Sequence, residues 1–110
     1  MKKDIEILKY ILVDINDIFN FTATIDFEGF VSNSLVRKAV CMSLINIGEL
    51  TKSLSFTFRS ENKQIPWKNI SGLRDITAHK YHTLNLDIVW SVIQNDIPAL
   101  KDFINGVIKP

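Results

Sequence analysis

Apolar residues near the start of the chain recur every three or four positions. Ile5, Leu8, Leu12, Ile15 and Phe19 would share one side of a helix, with Lys2, Lys9, Asp14 and Asp17 among the positions between them. That spacing predicts an amphipathic first helix with one face toward a core. Aromatic and β-branched residues then dominate positions 21–30. No partner strand follows, so the stretch reads as a loop with one helical turn, its phenylalanines packing back onto the helices. Ser32 or Asn33 suits the N-cap of a longer second helix, from about residue 34 to about residue 56. Leu35, Met42 and Ile45 point one way on that helix, and Val36, Val40, Ile47, Leu50 and Leu54 another. A helix apolar on two sides must bury two faces. The second face meets either another subunit or the remaining helices of a monomeric bundle.

The polar run 59–64 predicts a surface loop. Pro66 follows, suited to the first turn of a third helix because its missing N–H is not needed there. Trp67, Ile70, Leu73 and Ile76 or Thr77 would form the inner face of that helix. Asn85 then caps a fourth helix carrying Ile88, Val89, Val92, Ile93, Ile97, Leu100, Phe103 and Ile104. Pro98 interrupts this pattern and predicts a kink near Asn95 and Asp96. Four helices, short connections and no strand pattern predict an all-α fold: an antiparallel four-helix bundle with an extra short helical turn, one domain over residues 1–110.

Composition narrows the chemistry. A chain of 110 residues, 46% hydrophobic and 23% charged, suits one globular domain and not wholesale disorder. Thirteen basic against twelve acidic residues leave a formal charge of +1. That is not the footprint of a dedicated nucleic-acid binder, so any nucleic acid would be gripped by a local patch or one assembled from several subunits. The single cysteine, Cys41, excludes an intramolecular disulfide and a thiolate metal cluster. Its apolar neighbours suggest a buried, inert thiol. Asp4, Glu6 and Lys9 interrupt the apolar run a signal peptide needs, and no stretch reaches transmembrane length. The expectation is a cytoplasmic protein with no membrane partner.

Both histidines, His79 and His82, fall in one short stretch. Asp75 and Asp87 are the nearest carboxylates and lack the spacing of a metal site, and four scattered glycines make no phosphate loop. No cofactor or metal is expected. What remains is Arg74, His79 and Tyr81, with Lys80 and His82 beside them. At about 100° per residue, Arg74 and Tyr81 would share a helix face, whereas Arg74 and His79 would lie about 140° apart. The latter pair can meet one substrate only if the helix ends before His79 or a second subunit completes the site. A guanidinium and an imidazole suit phosphodiester chemistry without a metal, one holding the phosphate and the other shuttling a proton. RNA would supply its own nucleophile, the 2′-hydroxyl. On spacing alone, a structural or capping role for these residues is the commoner outcome.

The stretch 65–81, from Ile65-Pro66-Trp67 through Gly72-Leu73-Arg74-Asp75 to His79-Lys80-Tyr81, closely resembles the HEPN superfamily, and within it the HepT-like toxins. Those carry an I-P-W … G-L-R-(N/D)-x-x-x-H-x-Y signature. The likeness extends to Ile47-Gly48-Glu49-Leu50-Thr51-Lys52, similar to the family's I-G-E-x-x-K, and to 86–90 and 95–100. The resemblance implies a dimerising helical bundle and a metal-independent endoribonuclease, the toxin of a type VII toxin–antitoxin pair acting on tRNA or mRNA. His79 would be the general acid and base, and Arg74 the phosphate clamp. Tyr81 matches the tyrosine to which an MntA-like nucleotidyltransferase antitoxin attaches AMP. Asp75, Lys80, His82 and Glu49 are candidates for supporting or RNA-binding roles. The rival implication is a catalytically silent HEPN module that partners, and is modified by, a minimal nucleotidyltransferase. Plainer fates stay open: Tyr81 packing on the bundle, Asp75 tethering Arg74, Lys80 and His82 in a solvated loop, and Trp67 and Trp90 as core residues.

Overall fold

The computed structural model describes residues 2–76 and 80–109, and every regular element among them is helical. The first helix, α1, spans Lys2–Thr22. Ile7, Leu8, Ile11, Ile15 and Ile18 form its buried face, while Ile5, Leu12 and Phe19 lie partly covered beside it. The buried stripe is therefore broader than the expected one and turned by about one residue. The cause is that α1 packs on two later helices, α3 (Ser34–Lys52) and α7 (Ile97–Ile108).

Residues 21–30, expected as a loop with one helical turn, contain that turn as a short helix, α2 (Phe27–Ser32), while Phe21 and Thr22 extend α1 further than expected. Asp26 caps α2 by accepting the Gly29 N–H at 2.8 Å. Phe30 is fully buried, its ring 5.2 Å from that of Trp90. Asn33 caps α3 by accepting the Val36 N–H at 3.0 Å.

The second long helix ends at Lys52, short of the expected residue 56. Ser55 starts a separate helix, α4 (Phe56–Glu61), its Oγ accepting the Phe58 N–H at 3.1 Å. The Ser55 N–H and hydroxyl both donate to the buried Asp4 carboxylate, each at 2.8 Å. A contact 51 residues away thus helps fix this break, which no local periodicity could reveal. Arg59, Ser60 and Glu61, expected in a loop, are helical as a result.

Pro66 lies at the N-cap of α5 (Trp67–Ser71), one position before the first turn. Trp67 is a core residue: its rings meet Phe58 and Phe103, and Nε1 donates to the Asn62 carbonyl at 2.9 Å. α5 continues as a 3-10 turn, Gly72–Asp75. A second 3-10 turn, Tyr81–Thr83, precedes α6 (Leu86–Ser91), which Asn85 caps. A π turn over Val92–Asp96 links α6 to α7. It falls where Pro98 predicted an irregularity: Pro98 can donate no backbone hydrogen bond to the preceding turn, and the wider π turn absorbs the mismatch.

α3 is central, packed on α1 from one side and on α5 and the Gly72–Asp75 turn from another. Val40, Leu44 and Ile47 are fully buried there. Its second apolar face is only partly covered by this chain, since Leu35 is 78% exposed and Met42 59%. Cys41 is buried, and burial pushes its thiol pKa up to about 11 despite the opposing charge of Arg37. Among the described residues no helix is long and apolar enough to cross a membrane.

Candidate functional site

The candidate site is built on a close crossing of two backbones. A Cβ added to Gly48 would lie 2.4 Å from the Arg74 nitrogen, 3.0 Å from the Ser71 oxygen and 3.1 Å from the Leu73 carbonyl carbon. Only a residue without a side chain lets the Gly72–Asp75 turn rest this closely on α3. A glycine inside a helical pattern, away from any cap, is the sequence signal for such an approach.

The crossing places Glu49 beside Arg74. The Arg74 Nε–H donates to Glu49 Oε1 at 2.5 Å. Asp75 Oδ1 is 4.0 Å from Nη1, near enough for its charge to be felt but too far for a hydrogen bond. Both members of the main pair face solvent, with side-chain exposures of 42% for Arg74 and 57% for Glu49. The Glu49 hydrogen bond and charge raise the guanidinium pKa, slight desolvation opposes them, and Asp75 adds to the rise. Arg74 is thus a permanent cation with part of its donor set still open to solvent.

The 3-10 turn ends at Asp75, and Ile76 is buried and extended at φ −69°, ψ 95°. The chain therefore leaves the helix before residue 79, one of the two ways Arg74 and His79 could reach one substrate. His79 itself lies outside the described residues. The end of the helix also removes the shared face expected for Arg74 and Tyr81.

Tyr81 begins the second 3-10 turn. It is half-buried, and its hydroxyl oxygen is shut from solvent with no hydrogen-bond partner among the described residues. Its ring meets the exposed His82 edge-on at 5.3 Å. These two residues, with Ile76, face Lys38, Cys41, Met42 and Ile45 of α3 across a cavity of about 350 Å³. Lys38 was not singled out in the sequence, where nothing sets it apart from other surface lysines. Lys80 is exposed at the edge of another cleft, about 340 Å³, between the Gly72–Asp75 turn and α6. Among the described residues, Arg74, Glu49 and Asp75 converge, while Lys80, Tyr81 and His82 line neighbouring clefts. No group of three or more His, Cys, Asp or Glu side chains there could hold a metal ion.

Comparison with known proteins matches residues 11–107 to the family described as "Ribonuclease HepT-like". A Methanocaldococcus jannaschii protein, whose name gives it provisionally as an RNase, is 36% identical over 101 residues, covering 91% of this chain and 93% of that protein. A Thermococcus cleftensis protein named "Probable ribonuclease HepT" is 33% identical over 81 residues, 74% of each chain. The "mRNA nuclease HepT" of Shewanella oneidensis is 37% identical over 59 residues, 48% of this chain and 44% of that one. No solved structure gives a significant match. With 97 consecutive residues inside the family pattern, the chain belongs to the HepT-like ribonuclease family.

Proposed function

We propose that this chain is a metal-independent endoribonuclease, the toxin of a type VII toxin–antitoxin pair, working as a dimer of one four-helix HEPN domain (residues 1–110) in the cytoplasm. The observation that carries this reading is an exposed, permanently charged Arg74 held on a turn that ends ahead of residue 79, in a family of ribonucleases. Arg74 binds the scissile phosphate and stabilises the charge that grows on it in the transition state. His79 takes the proton from the 2′-hydroxyl, whose oxygen attacks phosphorus. The bond to the 5′-oxygen breaks, that oxygen is protonated, and a 2′,3′-cyclic phosphate remains. Dimerisation has support in the uncovered Leu35 and Met42 side of α3, and it would let a near-neutral chain assemble one concentrated RNA-binding cleft.

Control rests on Tyr81. An MntA-like nucleotidyltransferase would direct the tyrosine oxygen onto the α-phosphorus of a nucleoside triphosphate, releasing pyrophosphate and leaving AMP on the ring. The added negative charge blocks RNA near Arg74. Because the hydroxyl is shut from solvent, this transfer requires the Lys80 to Thr83 segment to open first.

Purified protein expressed without the partner should cut RNA in the presence of a chelator and leave cyclic phosphate ends. Arg74→Ala and His79→Ala should each lower cleavage by at least about 100-fold. Equal inactivity of wild type and both variants on every RNA tested would leave the silent-module alternative standing.

A further inference from the structure

We infer that Glu49 is a positioning residue: it selects the edge of the Arg74 guanidinium that meets a phosphate. The inference rests on the ribonuclease reading for its consequence, though the tether itself can be tested without activity. A guanidinium offers two bidentate edges, one from Nε and one Nη, the other from the two Nη groups. Glu49 Oε1 takes the Nε–H at 2.5 Å, which removes the side edge from competition. Asp75 stays 4.0 Å from Nη1 and does not claim the end edge. An incoming phosphate therefore meets the paired Nη donors end-on.

The surroundings explain why this pair is there. Exposed ion pairs contribute little to stability, and these two side chains are 42% and 57% exposed. What the pair supplies is orientation, because a free arginine samples many rotamers that substrate would otherwise have to freeze out. Gly48 fixes the other end of the tether. With no Cβ between α3 and the Arg74 backbone, the neighbouring Glu49 stands within reach of Nε. A misplacement near 1 Å at a reacting phosphate lowers rates by roughly 100-fold, so the tether acts on turnover.

The test compares wild type with Glu49→Ala and Glu49→Gln, since glutamine keeps the acceptor and loses the charge. Expected is a kcat about 10- to 100-fold lower in Glu49→Ala, with KM steady or lower because a negative charge has been removed from the phosphate's path. Glu49→Gln should recover most of the lost kcat. In parallel, the Arg74 Nε–H proton resonance should exchange slowly with water in wild type and Glu49→Gln, and fast in Glu49→Ala. Titrated inorganic phosphate should shift the Nη signals more than Nε. Undiminished or raised turnover in Glu49→Ala would overturn the inference, as would fast Nε–H exchange in wild type. If wild type cuts no RNA while the protected Nε–H behaves as described, the ribonuclease reading fails and the tether stands.

Discussion

Substituting alanine at Gly48 sets two known effects against each other. Inside a helix, alanine is favoured over glycine by about 0.5–1 kcal/mol, and Gly48 lies well inside α3. Opposing this, the new Cβ would stand 2.4 Å from the Arg74 nitrogen, and so about 1 Å inside ordinary van der Waals range. The obstructing atoms are backbone, so one helix must move bodily away from the other. Overpacking of this kind costs about 1–3 kcal/mol, which at the middle of both ranges leaves a net destabilisation of about 1 kcal/mol. At this chain length that lowers Tm by roughly 4–8 °C. Gly106 is the internal control: it is also helical, in α7, yet a Cβ there meets nothing within 4 Å. Gly106→Ala should hold or raise Tm. Thermal unfolding followed by circular dichroism for both variants decides the matter. A Gly48→Ala protein at least as stable as Gly106→Ala would refute the close crossing.

Two further outcomes follow from buried groups. Desolvation acts to raise the Asp4 carboxyl pKa, yet the two hydrogen bonds from Ser55 and the positive charge of the amino terminus together outweigh it and hold the group below the usual range. A depressed pKa contributes stability that is fully present above the unfolded value, near pH 4, and is lost as pH falls through the folded one. Asp4→Asn should therefore lower stability by about 1–3 kcal/mol at pH 7, and urea unfolding at descending pH should bring the two proteins together; a constant gap down to pH 2 would contradict it. For Cys41, a thiol pKa of about 11 leaves only roughly one molecule in a thousand as thiolate at pH 8. A thiol reagent should label the native protein far more slowly than the urea-unfolded chain, and similar rates would place Cys41 at the surface.

The sequence pattern makes the helices legible where one face alternates with solvent. It does so for α1, for most of α3 and for the Pro98 irregularity, because each depends on residues within a few turns. It misplaces the end of α3, because Ser55 is held by Asp4, 51 residues earlier in the sequence. The extra helical turn expected in residues 21–30 is present as α2, but its bounds escape the pattern because six residues are too few to show a period. At the site, the angle of about 140° between positions 74 and 79 requires either a helix end or a second subunit. The backbone at Ile76 supplies the former. The Arg74–Glu49 pair joins residues 25 apart, a proximity that periodicity could not disclose and that the family pattern indicates only as two separate motifs. The enclosed Tyr81 hydroxyl was equally hidden, since burial of one atom depends on tertiary packing and not on local spacing.

The hydrogen bonds from Ser55 to Asp4 also bear on the order in which the protein is made. A ribosome delivers α1 before α3 and α4, and the Asp4 carboxylate acquires these partners only after 51 more residues have been added. Until then the nascent helix carries a charge destined for the interior and an isoleucine face with nothing to cover it. Of the helices described, α1 thus cannot be locked until Ser55 exists, and in that interval the growing chain is open to chaperones and to mispairing with its neighbours on the same message.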